Sequence, residues 1–148
     1  MTLADSNISS GSSITFHIPA QMKDIRMLGL SVQSLFANLG FSALEACQLE
    51  LALTEAANNI VKYGGLGNVT DRIWVKLVVK DNNVICIFID QGNPVEFLLK
   101  NSESDICTNT ATFPVSKRGP CVINKIMDTV NYARVNGKNV LTLIKHLP

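Results

Sequence analysis

Glu55 and Asn59 stand four residues apart in the stretch ELALTEAANNIVKYGG, Glu50 to Gly65, a spacing that projects both side chains from one face of a helix. A carboxamide oxygen is a hard ligand that Mg²⁺ accepts, and a carboxylate one turn away can orient or deprotonate a nucleophile. A second chemical group follows an apolar run: Asp90 closes Val84 to Ile89 and is followed by Gln91-Gly92-Asn93-Pro94. A carboxylate at the mouth of a buried strand can accept a hydrogen bond from a ligand amine, and Gly92 lets backbone and ligand approach closely. The third is Lys117-Arg118-Gly119-Pro120. Pro120 suits the first position of a helix with Gly119 as its N-cap, and the free N–H groups of such an end, beside two cationic side chains, suit a phosphate.

The elements that must carry these groups are legible from periodicity. Ser13 to Pro19 alternates Ile14, Phe16 and Ile18 against Thr15 and His17 and predicts a half-buried strand; residues 1–12 have the composition of a disordered tail. Ile25, Leu28, Val32, Leu35, Phe36 and Leu39 predict a helix from about Met22, stopped by Gly40. Ser42, with Glu45 in capping-box register, opens a second helix whose buried face is Leu49, Ala52, Leu53, Ala56, Ala57 and Ile60. Gln48, Leu51, Glu55, Asn59 and Lys62 form the stripe beside that face, and Gly64-Gly65 ends the helix. Arg72 to Lys80 alternates, Asp81-Asn82-Asn83 turns, and the continuous apolar run Val84 to Ile89 predicts a central strand covered on both faces. Asn101 to Ser116 is long and polar for a connector and predicts a lid over about 95–118. After the last helix, Thr129 to Val135 and Val140 to Leu147 flank the hairpin signal Asn136-Gly137. The expected fold is a two-layer α/β sandwich, a mixed and mainly antiparallel sheet with helices on one face, in one domain over 13–148.

Bulk properties exclude several functions. The 148 residues are 47% hydrophobic and 17% charged, with a net charge of +1, so nothing provides a field for nucleic acid. No apolar run reaches the length of a membrane span and the first residues carry no signal segment, which leads to the expectation of a cytoplasmic protein. Cys47, Cys86, Cys107 and Cys121 are widely spaced, without a CxxC pair, and His17 and His146 do not accompany them at ligand spacing, so the cysteines are read as reduced and zinc as absent. The absence of GxxxxGK[ST] and the dominance of hairpins argue against a P-loop or Rossmann fold.

In order and spacing, TEAANNIVKYG, DQGNP and the glycine before the last helix resemble the N-box and the two glycine boxes of the GHKL ATPase superfamily. The segments TEAANNIVKYG, DQGNP and IMDTVNYARVNGKNVLTLIKHL are similar to those of the bacterial anti-sigma-factor serine/threonine kinases. The likeness runs from about Ser13 to Leu147. It implies ATP and Mg²⁺ as ligands, Glu55 as the catalytic glutamate, Asn59 as the Mg²⁺ ligand, Asp90 as the contact to the adenine amine and Gly92 as the turn glycine. It further implies that Thr142 supports the adenine contact, and that Gly119 with Lys117 or Arg118 stabilises the transferring phosphoryl group. As partners it implies a sigma factor and an anti-sigma-factor antagonist of the STAS type, and a homodimer for which the first helix and N-terminal strand could supply the surface. Two departures keep a second reading open. Asn93-Pro94 replaces a second glycine in the first box, and Lys117 and Pro120 alter the second. The alternative is a regulatory module on the same fold that acts by protein contact alone.

Overall fold

A computed structural model describes residues 11–95 and 118–148. The element order is β1 (Ser12–Pro19), α1 (Met22–Asn38), α2 (Ala43–Tyr63), β2 (Arg72–Lys80), β3 (Asn83–Asp90), α3 (Arg118–Ile126), β4 (Thr129–Val135) and β5 (Lys138–His146). The strands form one five-stranded sheet in the order β1-β2-β3-β5-β4, and every pairing among the described residues is antiparallel. The mainly antiparallel sheet expected from the sequence is thus found, with no parallel pair among the described strands. Two-residue turns make this possible: Asp81 and Asn82 join β2 to β3, and Asn136 and Gly137 join β4 to β5, all at positive φ, the geometry that matches strand twist in a hairpin.

The helices lie on one face. Ile25, Leu28, Val32 and Phe36 of α1 and Leu49, Ala52, Leu53, Ala56, Ala57 and Ile60 of α2 are buried together with Ile73, Val75, Leu77, Val84, Cys86, Phe88, Leu141 and Leu143 of the sheet. Each large aliphatic or aromatic side chain in this layer contributes roughly 1.5–3 kcal/mol by leaving water. Helix α2 begins where its sequence predicts: Ser42 and Glu45 form a reciprocal capping box. Gly29 permits close crossing of α1 and α2, since a Cβ there would lie 2.5 Å from Glu50 Oε1 and 2.7 Å from Thr54 Cγ2.

Strand β3 is central, as its sequence predicts, but only one of its faces is covered among the described residues. Val84, Cys86, Phe88 and Asp90 point to the helices, while Ile85, Ile87 and Ile89 are half-exposed on the other face. Strand alternation forces that division, and the run Val84 to Ile89 conceals it because both faces are apolar there. No described helix is long and apolar enough to cross a membrane. The proposed lid lies almost wholly outside the described residues, as do the first ten residues of the expected tail; β1 itself already begins at Ser12, paired with Val79.

Candidate nucleotide site

Asp90 ends β3 on the helix side of the sheet and is 2% exposed. Its Oδ1 accepts from the Gly92 N–H at 2.8 Å and from Asn139 Nδ2 at 2.9 Å. Asn139, on β5 directly opposite Asp90, is completely buried. The same amide donates to Gly92 O at 2.9 Å, and its Oδ1 accepts from Arg134 Nη1 at 2.8 Å. Burial pushes the Asp90 carboxyl above its ordinary range, against the hydrogen bonds from Asn139 and Gly92 and the positive charge of Arg134. Two donors occupy Oδ1; no hydrogen bond to Oδ2 occurs among the described residues.

The end of α2 is joined to this turn. Gly64 caps the helix, its N–H donating to Ile60 O, and its own carbonyl accepts from Asn93 N–H at 2.7 Å. A Cβ on Gly92 would lie 2.6 Å from Gly64 O and 3.1 Å from Leu66 Cγ, so glycine is required by close approach and not by its φ. Gly65, at φ +69, completes the helix stop expected from the sequence. Beyond the turn, the Tyr132 hydroxyl accepts from Val95 N–H at 3.0 Å and ties the chain to β4.

One turn and a residue before Gly64, Asn59 is 5% exposed, turned further toward the core than the stripe reading implies, while Glu55 is half-buried and Gln48, Leu51 and Lys62 are exposed. The Asn59 Nδ2 and the Asn58 Oδ1 are buried without a hydrogen-bond partner among the described residues. Unpaired buried amide atoms carry a desolvation cost that a ligand can remove. A carboxamide such as that of Asn59 can donate to a phosphate oxygen through Nδ2 or, turned about χ2, present Oδ1 to a hard cation. No cluster of three His, Cys, Asp or Glu able to hold a metal exists among the described residues. Mg²⁺ would therefore need nucleotide oxygens beside Asn59, which fits its usual reliance on substrate phosphates.

Three further expected residues are placed differently or not at all. Thr142 pairs with Ile87, so strand alternation puts it on the face away from Asp90; the register gives the supporting position to Asn139, which the sequence reading missed. The parity of Leu141 and Leu143, both buried, carried the signal: stepping back two from Leu141 puts Asn139 on the inner face. Helix α3 runs from Arg118 through Gly119, beginning a residue before the expected N-cap at Gly119. Lys117 lies outside the described residues.

Comparison with known proteins decides the family. The model of the histidine kinase-like ATPase domain matches residues 18–145. The chain belongs to the histidine kinase-like ATPase family. A solved structure, the RsbU and RsbW domains of Rv1364c from Mycobacterium tuberculosis, superposes on this ATPase-like chain with a TM-score of 0.64 at 16% identity, covering 92% of this chain and 32% of the other. At that identity the likeness is one of fold, and the chain spans about a third of the matched protein's length. No curated protein matches the sequence. For a histidine kinase-like ATPase domain, the expected ligand is ATP.

Proposed function

We propose that this protein is an ATP-dependent serine/threonine kinase that also acts as an anti-sigma factor, phosphorylating an anti-sigma-factor antagonist and thereby switching partners. The observation that carries this reading is the junction of Gly64 with Gly92 and Asn93, which joins the helix bearing Glu55 and Asn59 to the turn bearing Asp90. A base-reading carboxylate and a phosphate-proximal pair are thus held on one rigid unit. Family membership and the anti-sigma-kinase-like segments supply the rest.

In this mechanism Asp90 Oδ2 accepts from the adenine amine, while Asn59 would lie against the phosphates and, with them, would hold Mg²⁺. When bound, Mg²⁺ neutralises charge on the phosphate oxygens. Glu55 orients the hydroxyl of a partner's serine or threonine and takes its proton as the oxygen bonds to the γ-phosphorus. The bond from that phosphorus to the bridging oxygen breaks, and ADP keeps the electron pair. The backbone at the start of α3, with Lys117 or Arg118, supplies positive potential toward the transferring group. A homodimer, a sigma factor and a STAS-type antagonist are the partners of this reading.

A second reading rests on one observation, that Lys117 and Pro120 alter the second glycine box and Pro120 removes a backbone donor. On that reading the fold works by contact, with nucleotide affinity lost. Titration calorimetry with MgATP separates the two. Binding abolished by Asp90→Asn, followed by phosphate transfer to the antagonist, supports the kinase; no binding at millimolar nucleotide refutes it and leaves the contact module.

A further inference from the structure

We propose that Arg134 is a positioning residue for base recognition, fixing through Asn139 the orientation in which the Asp90 carboxylate meets the nucleotide base. The inference rests on the nucleotide reading of the site and adds to it a residue on the far edge strand.

The chain of contacts has only one consistent polarity. Arg134 Nη1 donates to Asn139 Oδ1 at 2.8 Å and to Gly92 O at 3.3 Å, and a guanidinium has no acceptor to offer. Asn139 must therefore turn its oxygen to Arg134 and its nitrogen to Asp90 Oδ1 and Gly92 O, both at 2.9 Å. Both of those atoms accept, so the two ends of the carboxamide agree. Without Arg134, the carboxamide could turn over, placing its oxygen against a carboxylate oxygen and a carbonyl. Repulsion would then move Asp90 from its place, and a completely buried Asn139 would have no water with which to repair the loss.

The lock also decides which carboxylate oxygen is available. Oδ1 is taken by Asn139 and by the Gly92 N–H, which leaves Oδ2 as the acceptor for an incoming donor. A base carrying an exocyclic amine at that point gains a charge-assisted hydrogen bond; one carrying an oxygen there meets a like partial charge. Arg134 thus acts on selectivity between the two base types, not on the phosphates. Its side chain approaches from β4, where Tyr132 is the other titratable group near Asp90. Tyr132 is engaged with Val95 N–H instead.

The test is titration calorimetry of the full chain with MgATP and with MgITP, which has an oxo group where ATP has its amine. Arg134→Ala is expected to weaken MgATP by about tenfold, the magnitude of one charge-assisted hydrogen bond, and to leave MgITP affinity unchanged. Arg134→Lys, which restores a cationic donor, is expected to recover most of the MgATP affinity. An equal loss for both nucleotides would mark Arg134 as a general structural support and overturn the proposal. Unchanged MgATP affinity in Arg134→Ala would overturn it while leaving the nucleotide reading intact. Wild-type protein that binds neither nucleotide would overturn both, and equal wild-type affinity for the two would show that Asp90 does not read the amine, which also defeats the proposal.

Discussion

At the scale of single residues, Asp90 and Glu55 are chemically alike and differently surrounded. Asp90 is enclosed by Asn139 and Gly92 and its carboxyl is raised by burial, so it titrates nearer to working pH than a surface aspartate. The sign follows directly: only the ionised form has both oxygens as acceptors, so MgATP affinity should be present above the raised value and fall as pH drops through it. Calorimetry at a series of pH values from 3.8 upward should show this decline, while Asp90→Asn should bind weakly at every pH. The same shift means that the folded state holds the Asp90 proton more tightly than the unfolded chain, so its contribution to stability declines as pH rises from the ordinary value of 3.8 toward the raised one. Glu55, half-buried on α2, is assigned to the hydroxyl proton. Glu55→Gln should keep MgATP affinity within a few-fold and lower phosphate transfer by roughly 10²–10⁴, the usual contribution of a general base. A comparable fall in MgATP affinity would instead assign Glu55 to binding.

At the scale of elements, the site depends on how closely the end of α2 meets the turn after β3. A Cβ on Gly92 would come within 2.6 Å of the Gly64 carbonyl, a backbone atom that cannot rotate away. Gly92→Ala should therefore push the turn from the helix end and disturb the Asn93 to Gly64 hydrogen bond. The expected cost is about 1–3 kcal/mol from overpacking, read as a lowered midpoint of thermal unfolding, together with loss of MgATP binding. Preserved stability and affinity would mean that the junction yields without consequence. Much of this level was legible in the sequence. The helix faces, the capping box at Ser42 and Glu45, the Gly64-Gly65 stop and both hairpin turns follow from local rules that act within a few residues. The partnership of Asp90 and Asn139 does not, since it joins positions 49 apart and depends on strand register. The expectation for Thr142 rests on likeness of segments, which preserves order but is insensitive to a small odd step, here the step of three from Asn139 to Thr142. In a strand that step changes the face. The open side of β3 was hidden because the isoleucines of its outer face are as apolar as the Val84, Cys86 and Phe88 of its inner one.

At the scale of the whole molecule, the three described helices cover one side of an antiparallel sheet, and the candidate site sits at one pole, where β3 ends, β5 begins and α2 stops. A ligand there touches elements from both ends of the chain, since α2 precedes and β5 follows the central hairpin. Binding to the folded state alone must raise stability, because nucleotide withdraws native molecules from the unfolding equilibrium. With free MgATP at a hundredfold over Kd the gain is about 2.7 kcal/mol, which for a domain of this size moves the thermal midpoint by on the order of 5–10 °C. The unpaired amide atoms of Asn58 and Asn59 lead to a further expectation. Removing Mg²⁺ with chelator should reduce the shift without abolishing it, because Asp90 still holds the base when the phosphates are poorly held. Asn59→Ala should then show the small shift with or without Mg²⁺, as it would remove the proposed protein ligand of the cation and leave the proposed base contact in place. A full, Mg²⁺-dependent shift in Asn59→Ala would place the cation elsewhere. The absence of any shift in wild-type protein at millimolar nucleotide would leave the kinase reading without support.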